Sequence, residues 1–373
     1  MNREEVSLMV TTDLHHLARE LYDENSEVFA KLMATNDGKL FEKSTEILEA
    51  LKEEAIAVHP DALLLAGDLT FNGEMISLLE VKKALEEVEE AGIQVLVIPG
   101  NHDISYRYAN KYFGTVPEPV DRISSEQFAE VMGQFGYEEA LYRDEKTLAY
   151  VYPVTDDFWI LTLDANTVEN YCRIPEETIA WMETILKEAQ EKGITVVAMS
   201  HQNVLIQSTM MYQGYVIDNY EEVSALLKKY GVFLALSGHS HLQHTAVSDG
   251  LTDICSESIA LYPLQYGMIK IRADRKSFDY ERAKLDLFEQ EAYDRFIETV
   301  LRMTEQTVKD TGADEAEQAE MVKYASAMNA AYFTGDEPEI RKLENEEGRN
   351  LWKKYAAGTF WQQYIENIVE EYN

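Results

Sequence analysis

The sequence predicts an α/β protein that ends in a helical appendage. Short runs of β-branched residues and leucine alternate with longer amphipathic segments, which is the pattern of stacked β-α-β units. From about Leu287 onward the strand signals stop and the chain keeps a helical period. We therefore expect an α/β domain in residues 1–287 and a helical C-terminal extension in residues 288–373.

The strands of this domain are predicted from apolar runs of four to eight residues. Six runs read as buried strands, at residues 6–12, 62–66, 93–98, 158–163, 194–199 and 232–236. Two more, at residues 148–154 and 266–271, are typical of hairpin strands. Buried strands normally carry helices on both faces of their sheet.

The helices are predicted from apolar residues at helical spacing. Residues 41–58 and 77–91 both show this pattern between predicted strands. The extension is rich in Glu, Ala and aromatic residues, and it is interrupted at residues 334–338. Its aromatic side chains predict a packed core or a docking surface rather than a ligand site.

The charge of the chain restricts its partners. The 373 residues include 68 Asp or Glu and 33 Lys or Arg, which gives a formal net charge of −35. A groove for a nucleic-acid polymer needs clustered cations, and an anionic membrane surface would repel such a chain. Because 46% of the residues are apolar, the charge does not indicate disorder.

Cysteine count and hydropathy exclude further classes. Only Cys172 and Cys255 are present, too few for a disulfide framework or a cysteine-built zinc site. No apolar run approaches the roughly eighteen residues of a membrane-spanning helix. Because the first strand begins near Val6, there is no room for a signal peptide. We expect a cytoplasmic protein, or an exported one whose signal segment lies outside this sequence.

Five short polar motifs directly follow predicted strands. In chain order they are Asp13-Leu14-His15, Gly67-Asp68, Gly100-Asn101-His102-Asp103, Ser200-His201 and Gly238-His239-Ser240-His241. Ligands of open α/β sheets bind at the carboxyl ends of the strands, so we expect these motifs to converge.

The residue types in these motifs predict a site for two divalent metal ions. Carboxylate and imidazole without thiolate suit borderline ions such as Mn, Fe, Zn or Co. Side chains two apart on an extended segment share a side, which pairs Asp13 with His15 and His239 with His241. Asp68 could bridge two cations. The candidate ligands are Asp13, His15, Asp68, Asn101, His201, His239 and His241.

Taken together, the five motifs resemble the calcineurin-like metallophosphoesterase family. Its pattern is Asp-X-His, Gly-Asp, Gly-Asn-His-Asp/Glu, His and Gly-His-X-His, and the resemblance covers about residues 5–275. The chain is most similar to bacterial class III cyclic-nucleotide phosphodiesterases, some of which carry a helical C-terminal extension. The resemblance implies a four-layered α/β/β/α sandwich, with the site on its loop-bearing edge.

The resemblance also implies roles for single residues. Asp13, His15 and His241 would hold one metal, Asn101, His201 and His239 the other, and Asp68 would bridge them. Manganese, iron or both would occupy the site, and zinc stays possible. A water between cations about 3.5 to 4 Å apart would attack phosphorus. His102 would contact the phosphate and assist the leaving group, with Asp103 orienting His102 or its loop.

Substrate contacts are expected from loops beside the motifs. Arg107 could clamp a phosphate oxygen while Tyr106 or Tyr108 stacks on a base, or Arg107 could be a surface helix residue. Many relatives have an acid where this chain has Phe71, so Asn72 could bind substrate, support the site or form a turn. Residues 203–220 could form a binding loop or pack against the C-terminal helices.

Three functions follow. The favoured one is a metal-dependent phosphodiesterase for small phosphodiesters, cyclic nucleotides above all. The second keeps the metals but acts on a phosphomonoester, a nucleotide, or a lipid or cell-envelope phosphodiester. The third is a non-catalytic binding protein, which the intact ligand set and His102 argue against. The C-terminal helices are also a candidate contact for a homo-oligomer.

Overall fold

The computed structural model describes residues 5–104, 107–167 and 171–372. Its strands are β1 (Val6–Thr11), β2 (Ala62–Leu65), β3 (Gln94–Val97), β4 (Asn110–Lys111), β5 (Glu118–Pro119), β6 (Tyr142–Arg143), β7 (Tyr150–Thr155), β8 (Phe158–Leu163), β9 (Thr195–Ser200), β10 (Leu234–Ser237), β11 (His244–Ser248), β12 (Leu251–Cys255), β13 (Gln265–Ile271) and β14 (Phe278–Lys284).

Helices connect these strands and form the C-terminal part of the chain. They are α1 (Glu27–Thr35), α2 (Ser44–Val58), α3 (Met75–Glu90), α4 (Ser125–Val131), α5 (Glu176–Lys192), α6 (Tyr220–Lys229), α7 (Glu289–Lys309), α8 (Glu315–Phe333), α9 (Glu337–Leu343), α10 (Glu347–Tyr355) and α11 (Phe360–Glu371). Short helical turns occupy Arg19–Leu21, Phe41–Lys43 and Gly133–Tyr137.

Two large sheets organise the α/β part. The first has the order β14-β13-β1-β2-β3, and the second has the order β11-β12-β10-β9-β8-β7-β6. Strands β1, β2 and β3 run parallel, as do β8, β9, β10 and β12. In each sheet the parallel strands therefore end at one edge, where the next loops begin.

The alternation of side chains along β8 shows how the layers stack. Phe158 and Ile160 belong to the core that also contains the first sheet and helices α2 and α3. Trp159, Leu161 and Leu163 point to the opposite face, where they pack with α5 and α6. The order helix, sheet, sheet, helix is the four-layered sandwich expected from the sequence.

The C-terminal helices α7 to α11 enclose a core of their own. Tyr324, Tyr332 and Trp352 are buried there, and Leu242 and Leu261 of the α/β part pack into the same cluster. The predicted boundary after residue 287 falls between the end of β14 and the start of α7, and the division into domains stays a prediction. Within the described residues, no helix combines the length and apolar character needed to cross a membrane.

The sequence did not predict β4, β5, β6, β11, β12 and β14; β12 is largely buried between two neighbours, whereas β11 and β14 are polar. Along β14 and β11 the side chains alternate between partly buried and exposed positions. Each of these strands lies at the edge of its sheet, with one neighbour. Pairing through the backbone, rather than burial of side chains, therefore forms them, and no apolar run marks them in the sequence.

A buried carboxyl group at the start of α3 should make stability depend on pH. Glu74 is fully buried, and its Oε2 accepts a hydrogen bond from Asn72 N at 2.8 Å. Burial raises the pKa of Glu74 from 4.5 to about 8, although that hydrogen bond opposes the shift. The folded chain therefore holds a proton that the unfolded chain releases between these values.

We predict that the wild type loses stability as pH rises from 5 to 9, and that Glu74→Gln loses less. The free energy of unfolding would be measured by urea denaturation, with a chelator present. Glu90→Gln, on the exposed face of the same helix, should follow the wild-type curve. Equal pH slopes for Glu74→Gln and the wild type would contradict the assignment.

Candidate metal centre

The loops that follow β1, β2, β3, β9 and β10 bring all seven predicted ligands together. Asp13 and His15, two positions apart in the sequence, face the same point, but neither lies on a strand. Their φ angles are 54° and 47°, and Asp68, His239 and His241 have φ of 52°, 67° and 54°. Left-handed backbone is uncommon for residues other than glycine, although Asp and His adopt it more readily than most, and it clusters at functional sites.

Asp13, His15 and His241 form the first cluster. The Nε2 atoms of His15 and His241 lie 3.2 Å apart. Asp13 Oδ1 lies 3.2 Å from His241 Nε2 and 3.6 Å from His15 Nε2. A tetrahedral ion with metal–nitrogen bonds of about 2.0–2.1 Å needs donor atoms about 3.3–3.4 Å apart. The cluster therefore has the dimensions of one face of a metal site.

Asp68, His201 and His239 form the second cluster, and their ligand atoms lie within 4.8 Å of one another. The carbonyl of Ala66 lies 2.8 Å from His201 Nδ1, so Nε2 of that ring is the candidate ligand atom. Asn101 Oδ1 lies 2.9 Å from the same Nε2. A carbonyl that holds the other nitrogen is a common way to orient a metal-binding imidazole.

Asp68 joins the two clusters. Its Oδ2 lies 3.8 Å from His15 Nε2 and 3.4 Å from His201 Nε2, while its Oδ1 accepts a hydrogen bond from His102 N at 2.7 Å. This close packing requires a glycine next to it, since a Cβ on Gly100 would lie 2.1 Å from Asp68 Oδ1. The donor set and its spacing fit two divalent cations that share one carboxylate.

The charges of the clusters are strongly coupled. Burial disfavours the Asp68 carboxylate, but His201 and His102 hold its pKa well below the usual range. Burial alone would lower the pKa of His201, yet Asp68 raises it to about 9. Burial and the charge of Lys39 lower the pKa of His15 to about 3. Without a metal ion, Asp68 thus favours a protonated His201, and a cation that binds there has to displace this proton.

His102 and Asp103 occupy different positions beside the clusters. Both the Phe71 carbonyl, at 2.9 Å, and Asn72 Oδ1, at 3.0 Å, accept from His102 Nδ1. The buried Asp103 carboxylate instead accepts from Leu69 N, Thr70 N, Thr70 Oγ1 and Gly100 N. Asp103 therefore ties the loop after β2 to the loop after β3, while Asn72 orients the imidazole.

A cavity of about 450 Å³ opens onto this centre. One side is formed by metal-centre residues, including Asp68, His102 and His241. The opposite side comes from α7, α8 and α11 and is largely apolar and aromatic. Its lining residues there are Phe296, Thr299, Val300, Met303, Asn329, Phe333, Phe360, Trp361 and Tyr364. The aromatic side chains predicted as core thus also face a ligand-sized space.

Of the two loops predicted to contact the substrate, one contributes described residues to the cavity wall and the other does not. Arg107 is exposed, with its guanidinium 4.8 Å from the ring of Tyr108, and neither residue lines the cavity as described. Tyr106 lies outside the described residues. In the segment of residues 203–220, Met211 and Tyr215 line the cavity.

That segment also packs against α11, which is one of the two roles considered for it, while its role as a binding loop stays a prediction. Thr209 N lies 3.0 Å from Glu371 Oε1, and Thr209 Oγ1 lies 2.5 Å from Asn367 Oδ1. The sequence did not predict that Lys39 and the aromatic residues of α7, α8 and α11 line the cavity. The sequence marks Lys39 only by the turn-like residues Asn36, Asp37 and Gly38 before it.

We predict that Asp68→Ala loses both metal ions because the bridging carboxylate is removed. Purified protein would be reconstituted with Mn or Zn, and bound metal measured by elemental analysis and calorimetric titration. His102→Ala should keep its metal, since the seven ligands are unchanged. A fully loaded Asp68→Ala protein would rule out the bridging role.

Gly100→Ala should also lose metal, although glycine is not a ligand, because its Cβ would displace the Asp68 carboxylate. Gly312→Ala is the matched control, since no atom lies within 4 Å of a Cβ at that position. Both variants would be compared by metal content and by thermal unfolding. Normal metal content in Gly100→Ala would contradict the described packing.

Comparison with known proteins places this centre in a family. Residues 6–243 match the family model of calcineurin-like phosphoesterases, and residues 271–373 match a model of the C-terminal domain of cyclic nucleotide phosphodiesterase. A "probable cyclic nucleotide phosphodiesterase" of Rhodococcus erythropolis is 26% identical over 214 residues, 56% of this chain and 60% of that protein's length.

Among solved structures, a dimetal phosphatase from Danio rerio superposes with a TM-score of 0.50 at 13% identity. The match covers 75% of this chain and 99% of that one, and it shows a shared fold. The family model matches more than half of the chain and includes all five motifs. The chain belongs to the calcineurin-like phosphoesterase family.

Proposed function

We propose that this protein is a binuclear metal-dependent phosphodiesterase for small phosphodiesters, with cyclic nucleotides as the favoured class. The observation that carries the proposal is the position of Asp68 Oδ2, which faces His15 in one cluster and His201 in the other. Two cations that share a carboxylate beside a ligand-sized cavity suit phosphoryl transfer.

The proposed ligands follow the two clusters. One ion would be held by Asp13, His15 and His241, the other by Asn101, His201 and His239, with Asp68 shared. Manganese or iron suits this donor set, and zinc also fits it. When bound, such a pair stabilises charge on the phosphoryl oxygens and lowers the pKa of water.

His102 is the proposed catalytic imidazole. Its ring faces the cavity, and Nδ1 is engaged by the Phe71 carbonyl and Asn72 Oδ1. Because both partners are acceptors, Nδ1 carries a proton, and Nε2 is the proposed contact to the substrate. From there the ring can contact the phosphate and, when it is protonated, pass that proton to the leaving oxygen. Asn72 would orient the His102 ring, and Asp103 would hold the loops after β2 and β3 together.

The cavity favours a small substrate with a flat apolar part. Its volume of about 450 Å³ suits a nucleotide-sized molecule, and Phe296, Phe333 and Trp361 offer surfaces on which a base can stack. The net charge of −35 works against long polyanions. The cytoplasmic location and self-association through the C-terminal helices stay predictions.

We predict that the Mn-reconstituted protein hydrolyses bis(p-nitrophenyl) phosphate faster than p-nitrophenyl phosphate. A panel of cyclic nucleotides and of lipid and cell-envelope phosphodiesters, followed by chromatography, would then rank the natural classes. Faster turnover of the monoester would indicate a phosphomonoesterase instead. Absence of turnover on every substrate, with metal bound, would favour a binding protein.

His102→Ala should lower kcat by about a hundredfold to ten-thousandfold on a cyclic nucleotide, because the alkoxide leaving group needs a proton. The loss should be smaller on bis(p-nitrophenyl) phosphate, whose nitrophenolate leaves without one. His244→Ala is the control, since His244 is not among the described residues of the cavity. Equal losses on both substrates would argue against proton transfer by His102.

A further inference from the structure

Lys39 is a nearly buried cation at the wall of the cavity. Its side chain is 8% exposed, and it is the sole Lys or Arg among the described residues that line the cavity. Its charge acts on the imidazoles of both His15 and His102, where it and burial lower the pKa. In a chain with a net charge of −35, a nearly buried lysine at the wall of this cavity needs an explanation.

The loop that carries Lys39 is held in place by several hydrogen bonds. Asn36 Oδ1 accepts from Gly38 N at 3.2 Å and from Lys39 N at 3.1 Å. Leu40 N donates to the Ala260 carbonyl at 2.8 Å. Gly38 has φ of 112°, and a Cβ there would lie 3.2 Å from Leu261 Cδ2. These contacts therefore fix the position of Lys39 at the cavity wall.

Helix α7 of the C-terminal part also holds this loop. Arg302 donates to the Ala34 carbonyl at 2.8 Å and to the Asn36 carbonyl. These contacts lie immediately before the turn that carries Lys39. The helices that form the apolar wall of the cavity thus also fix the backbone of its cation.

The ion-pair partner of Lys39 is an exposed carboxylate. Lys39 Nζ lies 3.0 Å from Asp37 Oδ2, but the Asp37 side chain is 58% exposed. Burial would raise the pKa of Asp37, but Lys39 holds it well below its usual range, so an incoming anion has to compete with this carboxylate for the lysine. Lysine is a compact point charge that commonly binds phosphate.

We propose that Lys39 binds a non-bridging phosphate oxygen of the substrate in place of Asp37, and that Arg302 positions the loop that presents it. The proposal rests on the phosphoesterase function proposed above and adds a cation of the chain itself to the site. It assigns to Lys39 the phosphate contact that the sequence suggested for Arg107, which is exposed and away from the described cavity wall.

The test compares Lys39→Met with Lys39→Arg and with Lys52→Met, a lysine of similar burial that pairs with Glu49 and Glu87 on α2 and α3. Metal content, kcat and KM on bis(p-nitrophenyl) phosphate, and calorimetric binding of inorganic phosphate would be measured. Lys39→Met should keep its metal but weaken phosphate binding and kcat/KM by about tenfold to a hundredfold. Lys39→Arg should retain most of both, and Lys52→Met should match the wild type.

Asp37→Asn provides a test in the opposite direction that does not depend on the folding of Lys39→Met. Removing the competing carboxylate should tighten phosphate binding severalfold, and this gain should vanish in the Lys39→Met background. Arg302→Met should weaken phosphate binding, whereas Arg295→Met, which breaks the separate contact of α7 with Glu42, should not.

Unchanged phosphate binding in Lys39→Met would overturn the proposal, and so would loss of metal from that variant. An Asp37→Asn gain that persists without Lys39 would also overturn it. A wild type that hydrolyses none of the phosphoesters would instead refute the proposed function. Phosphate binding would still report on Lys39 in that case, so the two failures can be told apart.

Discussion

The position of the Asp68 carboxylate is the constraint on which the site depends. One oxygen accepts a hydrogen bond from the backbone of His102, and the other faces imidazoles from both clusters. This arrangement needs the carboxyl edges of two sheets to meet, a left-handed backbone at Asp68, and a glycine at position 100. Strain of this kind persists when the surrounding fold holds it in place. The buried layers of the sandwich provide that rigidity.

Most of the metal centre could be predicted from the sequence because its residues lie in short motifs directly after buried strands. Such strands leave apolar runs, and parallel strands end at a common edge. The reason given for pairing Asp13 with His15, and His239 with His241, was wrong, since all four adopt left-handed rather than extended backbone and the last two belong to different clusters. Turn geometry at the end of a strand depends on tertiary contacts that a local pattern does not record.

The walls of the cavity could not be predicted in the same way. Lys39, Met211, Phe296 and Trp361 come from four distant parts of the chain, and only packing brings them together. The aromatic residues of the C-terminal helices have the spacing of a helix core, and Trp352 and Tyr324 do form one. Nothing in that spacing separates them from Trp361, which lies at the cavity. The spacing of apolar residues shows which face of a helix is apolar, but not whether that face packs against a core or lines a cavity.

The metal ligands and the apolar wall of the cavity come from different parts of the chain, because the C-terminal helices pack against the α/β part. All candidate metal ligands precede residue 242, whereas the apolar wall and the Arg302 contacts come from residues after 288. Substitutions in the helices can therefore reshape the space for the substrate without touching a ligand. Reactivity and selectivity can then evolve in different segments. During synthesis the ligand loops emerge first, and the cavity closes only when the last helices pack.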